Sequence, residues 1–393
     1  MIVFFVVVNL LLIAFLARTG WKRWATSDPE VYWSALALRL ICGVLLGALY
    51  SVYYKTGDTL VLFNNALELT KGESAEITTE PRSLFFVYII RGVNIITGSN
   101  YWLTSLWFSL FSFICSYRLV VELDKMFPSM RNASRIAILF LPSAVFWTSG
   151  IIKESVAFGA LSMLVVHFLS IMRGRRIKWT TFASIAVFLF LLLSLRYYWA
   201  GVLLPCMISA FIMQKIMPER FLGGYFVVFL LLTLAVSFTH PNFHLERFLT
   251  VMVENHYLLL SMSDPANVIR YYNLSPSWVS IIVNSPWALW SGLFRPMIFE
   301  AHSVTGILAS IENLFILILV FWKLRYIRKP DVENRLVVVA ALTYVMVLCV
   351  FLALSTPNLG TLSRYRVGFL PFFVLMILAD HPLWKLKILI NKK

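Results

Sequence analysis

A handful of ionisable residues in this chain stand at the edges of long apolar stretches, where a side chain is partly withdrawn from water. Partial desolvation raises a carboxyl pKa and suits the group to accept a proton. Asp58, in YYKTGDTLVLFNNA, is placed for that chemistry, and equally for capping a helix whose dipole favours a carboxylate. Lys153–Glu154 is an adjacent pair in FLPSAVFWTSGIIKESVAF. The lysine suits a phosphate and the glutamate a hydroxyl, or the two neutralise each other at a boundary. Arg196, in LRYYWAG, is a further cation beside aromatics, and Arg295 precedes Pro296 with Glu300 close behind in LFRPMIFEAHS. Arg364 and Arg366, in TLSRYRVGF, are two apart; in an extended segment they share a face and make a cationic fork for a phosphate or diphosphate. The alternative for them is a pair of anchors at a helix end. Together the set offers a base (Asp58), a further acid (Glu154) and phosphate or hydroxyl ligands (Lys153, Arg196, Arg295, Glu300, Arg364, Arg366). That inventory deprotonates a hydroxyl and stabilises a departing phosphate. No D-x-D motif or histidine cluster marks a metal site, since His240, His244 and His256 are scattered; a divalent cation stays open as a cofactor.

The elements that must position these residues are apolar helices. The chain has 393 residues, 60% of them hydrophobic and only 13% charged, with mean hydropathy +0.80. A soluble domain needs more polar surface. Apolar stretches near the length of a membrane span, about 17–25 residues, recur throughout. The expectation is an all-α integral membrane protein of about 11 transmembrane helices forming one multi-spanning domain over 1–393. The spans are 1–17, 33–53, 101–118, 134–150, 155–172, 179–195, 198–214, 221–239, 303–322, 335–355 and 367–381. The first residues are apolar without a basic leader region, so no cleavable signal is expected. Cys42, Cys115, Cys206 and Cys349 lie far apart in apolar segments and read as small buried hydrophobes.

Charge sets the orientation. Laid out this way, with Arg39 counted inside, the whole formal net charge of +15 falls in the segments of one side and the other side balances to zero. Positive residues stay inside, so the amino terminus is expected outside and the carboxyl terminus in the cytoplasm. The basic character is thereby explained without nucleic acid. Residues 277–294 (SWVSIIVNSPWALWSGLF) are apolar, but a span there would invert the Lys323–Arg335 cluster; an interfacial or re-entrant segment is expected. Two long outer loops follow, 54–100 and 240–302, the first with two amphipathic helices over 58–70 and 82–96 lying along the membrane surface, separated by an acidic turn.

The inner loops are short and hold no glycine-rich phosphate loop, so neither an ATP motor nor a soluble nucleotide-linked donor has a place. A donor already activated on the outer side, a lipid-linked phosphosugar, is what remains. At this point the chain resembles the GT-C superfamily of polyprenyl-phosphate-sugar-dependent membrane glycosyltransferases, which includes the protein O-mannosyltransferases and the lipid A aminoarabinose transferase. Asp58 matches the acidic residue near the start of that superfamily's first outer loop. The segments FLPSAVFWTSGIIKES, FRPMIFE and LSRYRVGFLP also resemble those of a bacterial multi-spanning family of envelope polysaccharide enzymes. The chain departs from the superfamily in having an extra span before the acidic loop and no second acidic residue beside Asp58. The resemblance implies an inverting glycosyltransferase of the bacterial inner membrane, with its site on the periplasmic face. It moves a sugar from a polyprenyl-phosphate-linked donor to a glycan, lipid or protein acceptor. A polysaccharide polymerase or ligase of the O-antigen type, using polyprenyl-diphosphate-linked glycans, is the alternative; a dispensable Asp58 and an essential His244 or His256 would favour it. A lipid-linked sugar flippase or transporter fits less well, because few polar residues sit at mid-span.

Overall fold

Proline and small polar residues punctuate the helices much as the sequence suggests. In the computed structural model, which describes residues 2–54, 57–71, 81–216, 221–239, 241, 244–325 and 335–384, every regular element is helical apart from one isolated antiparallel bridge, Val268 with Asn358. The described chain divides into two compact units, Met1–Tyr197 and Tyr198–Lys393.

In the first unit, α1 (Ile2–Trp24) and α2 (Pro29–Leu49) are long apolar helices, α2 running on through a π-helical turn at Tyr50–Tyr54. The two amphipathic helices expected after it are α3 (Asp58–Lys71) and α4 (Pro81–Thr97), which pack on each other. The acidic turn between them lies outside the described residues. Asn100 caps α5 (Tyr101–Met126), its side chain accepting from Leu103 N–H. Then come three short pieces, α6 (Arg131–Arg135), a π-helical turn Ile136–Phe140 and α7 (Pro142–Trp147), followed by α8 (Lys153–Met172). The core is α5 packed between α2 and α8. Asn9 stitches α1 to it: its amide donates to the Ile96 carbonyl (3.1 Å) and its oxygen accepts from the Trp107 indole (2.6 Å).

Helix α9 (Trp179–Ile216) carries a break in helical geometry at Arg196 (φ −146°, ψ 63°), next to the boundary of the two units. The second unit continues with α10 (Phe221–Ser237), α11 (Leu245–Ser261), α12 (Trp278–Phe294), α13 (Val304–Leu324), α14 (Arg335–Ser355), α15 (Leu359–Tyr365) and α16 (Leu370–Leu378). Here α14 is the hub, with α10, α11, α12 and α16 against it. Residues 278–294 form one unbroken helix along α14, not a turn dipping in and out. Gly368 lets the buried ring of Trp199 come close, since an added Cβ there would lie 2.5 Å from the indole.

Among the described residues seven helices are long and apolar enough to cross a membrane, or eight if the pair Leu359–Gly368 and Leu370–Leu378, bent by 66°, is one span. The chain is a multi-pass helical membrane protein. Rows of exposed side chains such as Val3, Phe4, Val7, Leu11 and Phe15 on α1 suit contact with lipid. The expected count of 11 is not reached by unbroken helices. Residues 134–150 still run antiparallel along α5, from Ser134 at Asp124 to Gly150 at Ser109, but as a helix broken at the π-turn and at Leu141, whose extended backbone precedes Pro142. The two spans expected at 179–195 and 198–214 are present as the two arms of α9, which meet at the kink at Arg196. Helix α10 is an apolar helix of 17 residues, at the lower end of the length of a span. Of the charges used for orientation, Arg328, Lys329, Asp331, Glu333 and the tail lysines from Lys385 onward lie outside the described residues, as do Glu219 and Arg220.

Candidate functional site

In the first unit the residues singled out from the sequence converge on one loop, Thr148–Ile152, between α7 and α8. Gly150 makes the turn with φ +74°, a left-handed conformation open to glycine. Its N–H donates to the Ser109 hydroxyl of α5 (2.9 Å), while Ser105, one turn earlier, donates to the Gly43 carbonyl of α2 (2.9 Å). The Ile151 carbonyl accepts from the Thr59 hydroxyl (2.6 Å), 92 residues away in sequence. That bond fixes the first turn of α3, which begins at Asp58, against the loop. Ile152 packs with Leu46 and Tyr50 beneath it.

The next two residues start α8 and carry charge. Lys153 Nζ donates to the Ser83 hydroxyl of α4 (2.6 Å) and stays partly accessible. Glu154 is 0% exposed and is paired with the guanidinium of Arg196 at the break in α9. Lys153 and Glu154 thus each have a partner on a different helix, Ser83 on α4 and Arg196 on α9. With no exposed surface, Glu154 holds Arg196 in place.

A residue counted from the sequence among the inner charges sits under the loop instead. Arg39, 1% exposed, lies mid-way along α2. It donates to the hydroxyls of Ser112 (2.6 Å) and Thr148 (2.8 Å) and toward the Ile138 carbonyl (3.4 Å). Among the described residues its hydrogen-bond partners are all neutral, and a charge held this way is stabilised by hydrogen bonds. The signal for it was legible: α5 presents Ser105, Ser109, Ser112 and Ser116 at intervals of four, three and four, a polar stripe on one helix face.

The second unit gathers the other cluster. Arg295 and Glu300 form a bidentate pair (Nε to the two carboxylate oxygens at 2.8 and 3.1 Å), with Met297 N–H also bonded to the carboxylate (2.8 Å). Burial acts to raise the Glu300 pKa, but the hydrogen bonds from Arg295 and Met297 and the arginine charge outweigh it, and the net shift is downward. The guanidinium also lies 5.3 Å from the centre of the Trp287 ring. Arg366 is 0% exposed and donates to Asn313 Oδ1 (2.7 Å) and the Arg295 carbonyl (3.3 Å), with Glu312 at 3.6 Å.

The expected fork of Arg364 and Arg366 is corrected. The segment is helical, α15 passing into a 3₁₀ turn at Arg366–Gly368, and neighbours two apart on a helix point to different sides. Arg364 is itself 9% exposed. Sequence reasoning missed Glu312 and Asn313, whose spacing from Arg366 gives no local clue. Among the described residues no group of three or more His, Cys, Asp or Glu side chains is placed to hold a metal ion. Searches against protein-family models, curated proteins and solved structures found no match to the chain.

Proposed function

We propose that this protein is an inverting membrane glycosyltransferase, moving a sugar from a polyprenyl-phosphate donor to an acceptor hydroxyl at the outer, periplasmic face of the bacterial inner membrane. The observation that supports the reading is the Thr59–Ile151 hydrogen bond, which joins the start of α3 at Asp58 to the loop that delivers Lys153. The start of α3 and the head of α8 are thereby tied to one loop. Asp58 takes the proton of the acceptor hydroxyl as its oxygen bonds to the anomeric carbon. The bond from that carbon to the phosphate oxygen breaks on the opposite face, and the electron pair leaves with the polyprenyl phosphate. Lys153 stabilises the charge that develops there. Glu154, Arg196 and Arg39 position the loop; Arg295, Glu300 and Arg366 brace the second unit. The orientation implied is amino terminus outside and carboxyl terminus cytoplasmic.

A polymerase or ligase acting on polyprenyl-diphosphate-linked glycans is the second reading. It is favoured by the way residues 262–274 of the late outer segment fold onto 353–358, with Ile269 N–H bonded to the Pro357 carbonyl (2.8 Å). One assay separates them. Purified protein is given a radiolabelled polyprenyl-phosphate sugar pool with membrane extract as acceptor, and wild type is compared with Asp58→Asn. Loss of label transfer in a folded variant supports Asp58 as base; undiminished transfer sinks that role and turns attention to the second reading.

A further inference from the structure

The second unit contains a cavity of about 360 Å³ that the Asp58 reaction does not use, within the size range of small-molecule sites. It lies between the end of α11 and the chain that follows, lined by His256, Tyr257, Ser263, Arg270 and Tyr271 with apolar residues such as Val268 between them. Its walls are cross-braced. Val268 bridges to Asn358, Asn358 Nδ2 donates to the Ser263 hydroxyl (2.9 Å), and that hydroxyl donates to the Leu259 carbonyl (2.5 Å). The Tyr257 and Tyr271 hydroxyls donate to the carbonyls of Leu274 (2.8 Å) and Ala353 (2.9 Å).

Two groups are left to meet a ligand. Arg270 is exposed, and among the described residues no carboxylate pairs with it; nearby, Asp264 Oδ1 is engaged by Ala266 N–H and Glu254 pairs with Arg247. His256 is 2% exposed, with Nδ1 at 3.0 Å from the Leu354 carbonyl. A carbonyl can only accept, so Nδ1 carries the proton and Nε2 presents a lone pair. Burial, opposed by that backbone hydrogen bond, lowers the His256 pKa and keeps the ring neutral. A neutral Nε2 asks for a hydroxyl, Arg270 asks for an oxyanion, and the tyrosine rings supply apolar faces. From this we infer that the cavity is a binding site for a phosphorylated sugar, with the phosphate on Arg270 and a ring hydroxyl donating to His256 Nε2. The phosphosugar is either free in solution or carried on a membrane lipid. The site stands apart from the Asp58 chemistry and does not depend on it.

The test measures equilibrium binding to full-length protein in nanodiscs. The probes are glucose 1-phosphate, a polyprenyl-phosphate glucose and glucose itself, against wild type, Arg270→Gln and His256→Phe. Saturable binding of at least one phosphorylated probe is expected. Loss of a charge-assisted hydrogen bond weakens it by about tenfold or more in Arg270→Gln. His256→Phe weakens it by roughly fivefold, as for loss of a neutral hydrogen bond, and glucose binds far more weakly. Preference for the lipid-linked probe in the Arg270-dependent part of the binding identifies a membrane source, and preference for glucose 1-phosphate in that part a soluble one. Because Arg270 is exposed, Arg270→Gln keeps the wild-type Tm; unchanged binding in that folded variant overturns the site. So does glucose binding as well as its phosphate, or no saturable binding of either phosphorylated probe. Loss of transfer by Asp58→Asn with Arg270-independent binding would sink this site and leave the proposed reaction standing.

Discussion

Neutralising Glu154 tests the loop most directly. The carboxylate is 0% exposed and its partner Arg196 is nearly as buried. In Glu154→Gln the guanidinium remains in that setting and loses this carboxylate, a change that costs about 3–5 kcal/mol. At about 2–4 °C per kcal/mol for a unit of this size, Tm falls by on the order of 10 °C. Removing both charges in Glu154→Gln/Arg196→Met leaves no stranded ion and recovers most of the loss, to within about 1–2 kcal/mol of wild type. Thermal unfolding of the four proteins in detergent, followed by circular dichroism, gives the coupling energy of the cycle. If either single variant costs less than about 0.5 kcal/mol, or if the two losses simply add, the pair is not the anchor described. Turnover is a second readout. Below its lowered melting range Glu154→Gln retains part of its transfer activity; a fall beyond about a thousandfold in folded protein would make Glu154 a reacting group.

Gly150→Ala would place a methyl 3.1 Å from Ser105 Oγ and 3.2 Å from the Gly43 carbonyl at φ +74°, so a cost of about 1–2 kcal/mol or more is expected in the same melting assay. Arg39→Lys keeps a buried charge whose single ammonium cannot reach Ser112, Thr148 and Ile138 together; it is expected to be less stable than Arg39→Leu by about 1–2 kcal/mol. Asp28 lies between the first two long helices. Burial acts to raise its pKa, but hydrogen bonds from Ser27 and Arg135 and the charges of Arg135 and Arg131 win and hold it below the ordinary 3.8. A lowered native pKa contributes stability that is present above pH 3.8 and lost as pH falls through the native value. In an acid titration Asp28→Asn should therefore flatten the stability loss in that range. Sidedness is testable because all four native cysteines are buried. In intact cells an impermeant maleimide should label Asp264→Cys, and label Lys125→Cys only after permeabilisation.

Helices were readable where a single apolar run had polar ends. Asn100 before α5, Pro81 at the head of α4 and Ser303 before α13 each mark a start that the backbone respects. The count failed where hydropathy is continuous but geometry is not. Residues 134–150 read as one apolar stretch, yet Pro142 removes a donor and the turn before it is π-helical. At Arg196 the expected separation holds: the backbone there is not helical, and two helices meet at a kink. In the site, Lys153, Glu154 and Arg196 were visible as charges against an apolar background, but their pairing was not, because partners 42 and 70 residues away are chosen by packing. Arg366 looked like a ligand for the same reason; only its burial against Asn313 shows where its hydrogen bonds go.

The broken stretch from Arg131 to Ile152 bears on how such a chain is made. A segment with an interrupted hydrogen-bond ladder is a poor candidate to leave the insertion machinery and rest alone in lipid, where each stranded backbone group costs several kcal/mol. Its partners here are Arg39 for the Ile138 carbonyl and Ser109 for Gly150 N–H, both supplied by α2 and α5, which are synthesised earlier. Biogenesis of the first unit is then sequential: two stable spans form the receptacle, and the irregular segment is admitted only once they are in place. A ribosome stalled before Met126 and one stalled after Ile152 should differ less in what has been inserted than in what has been docked.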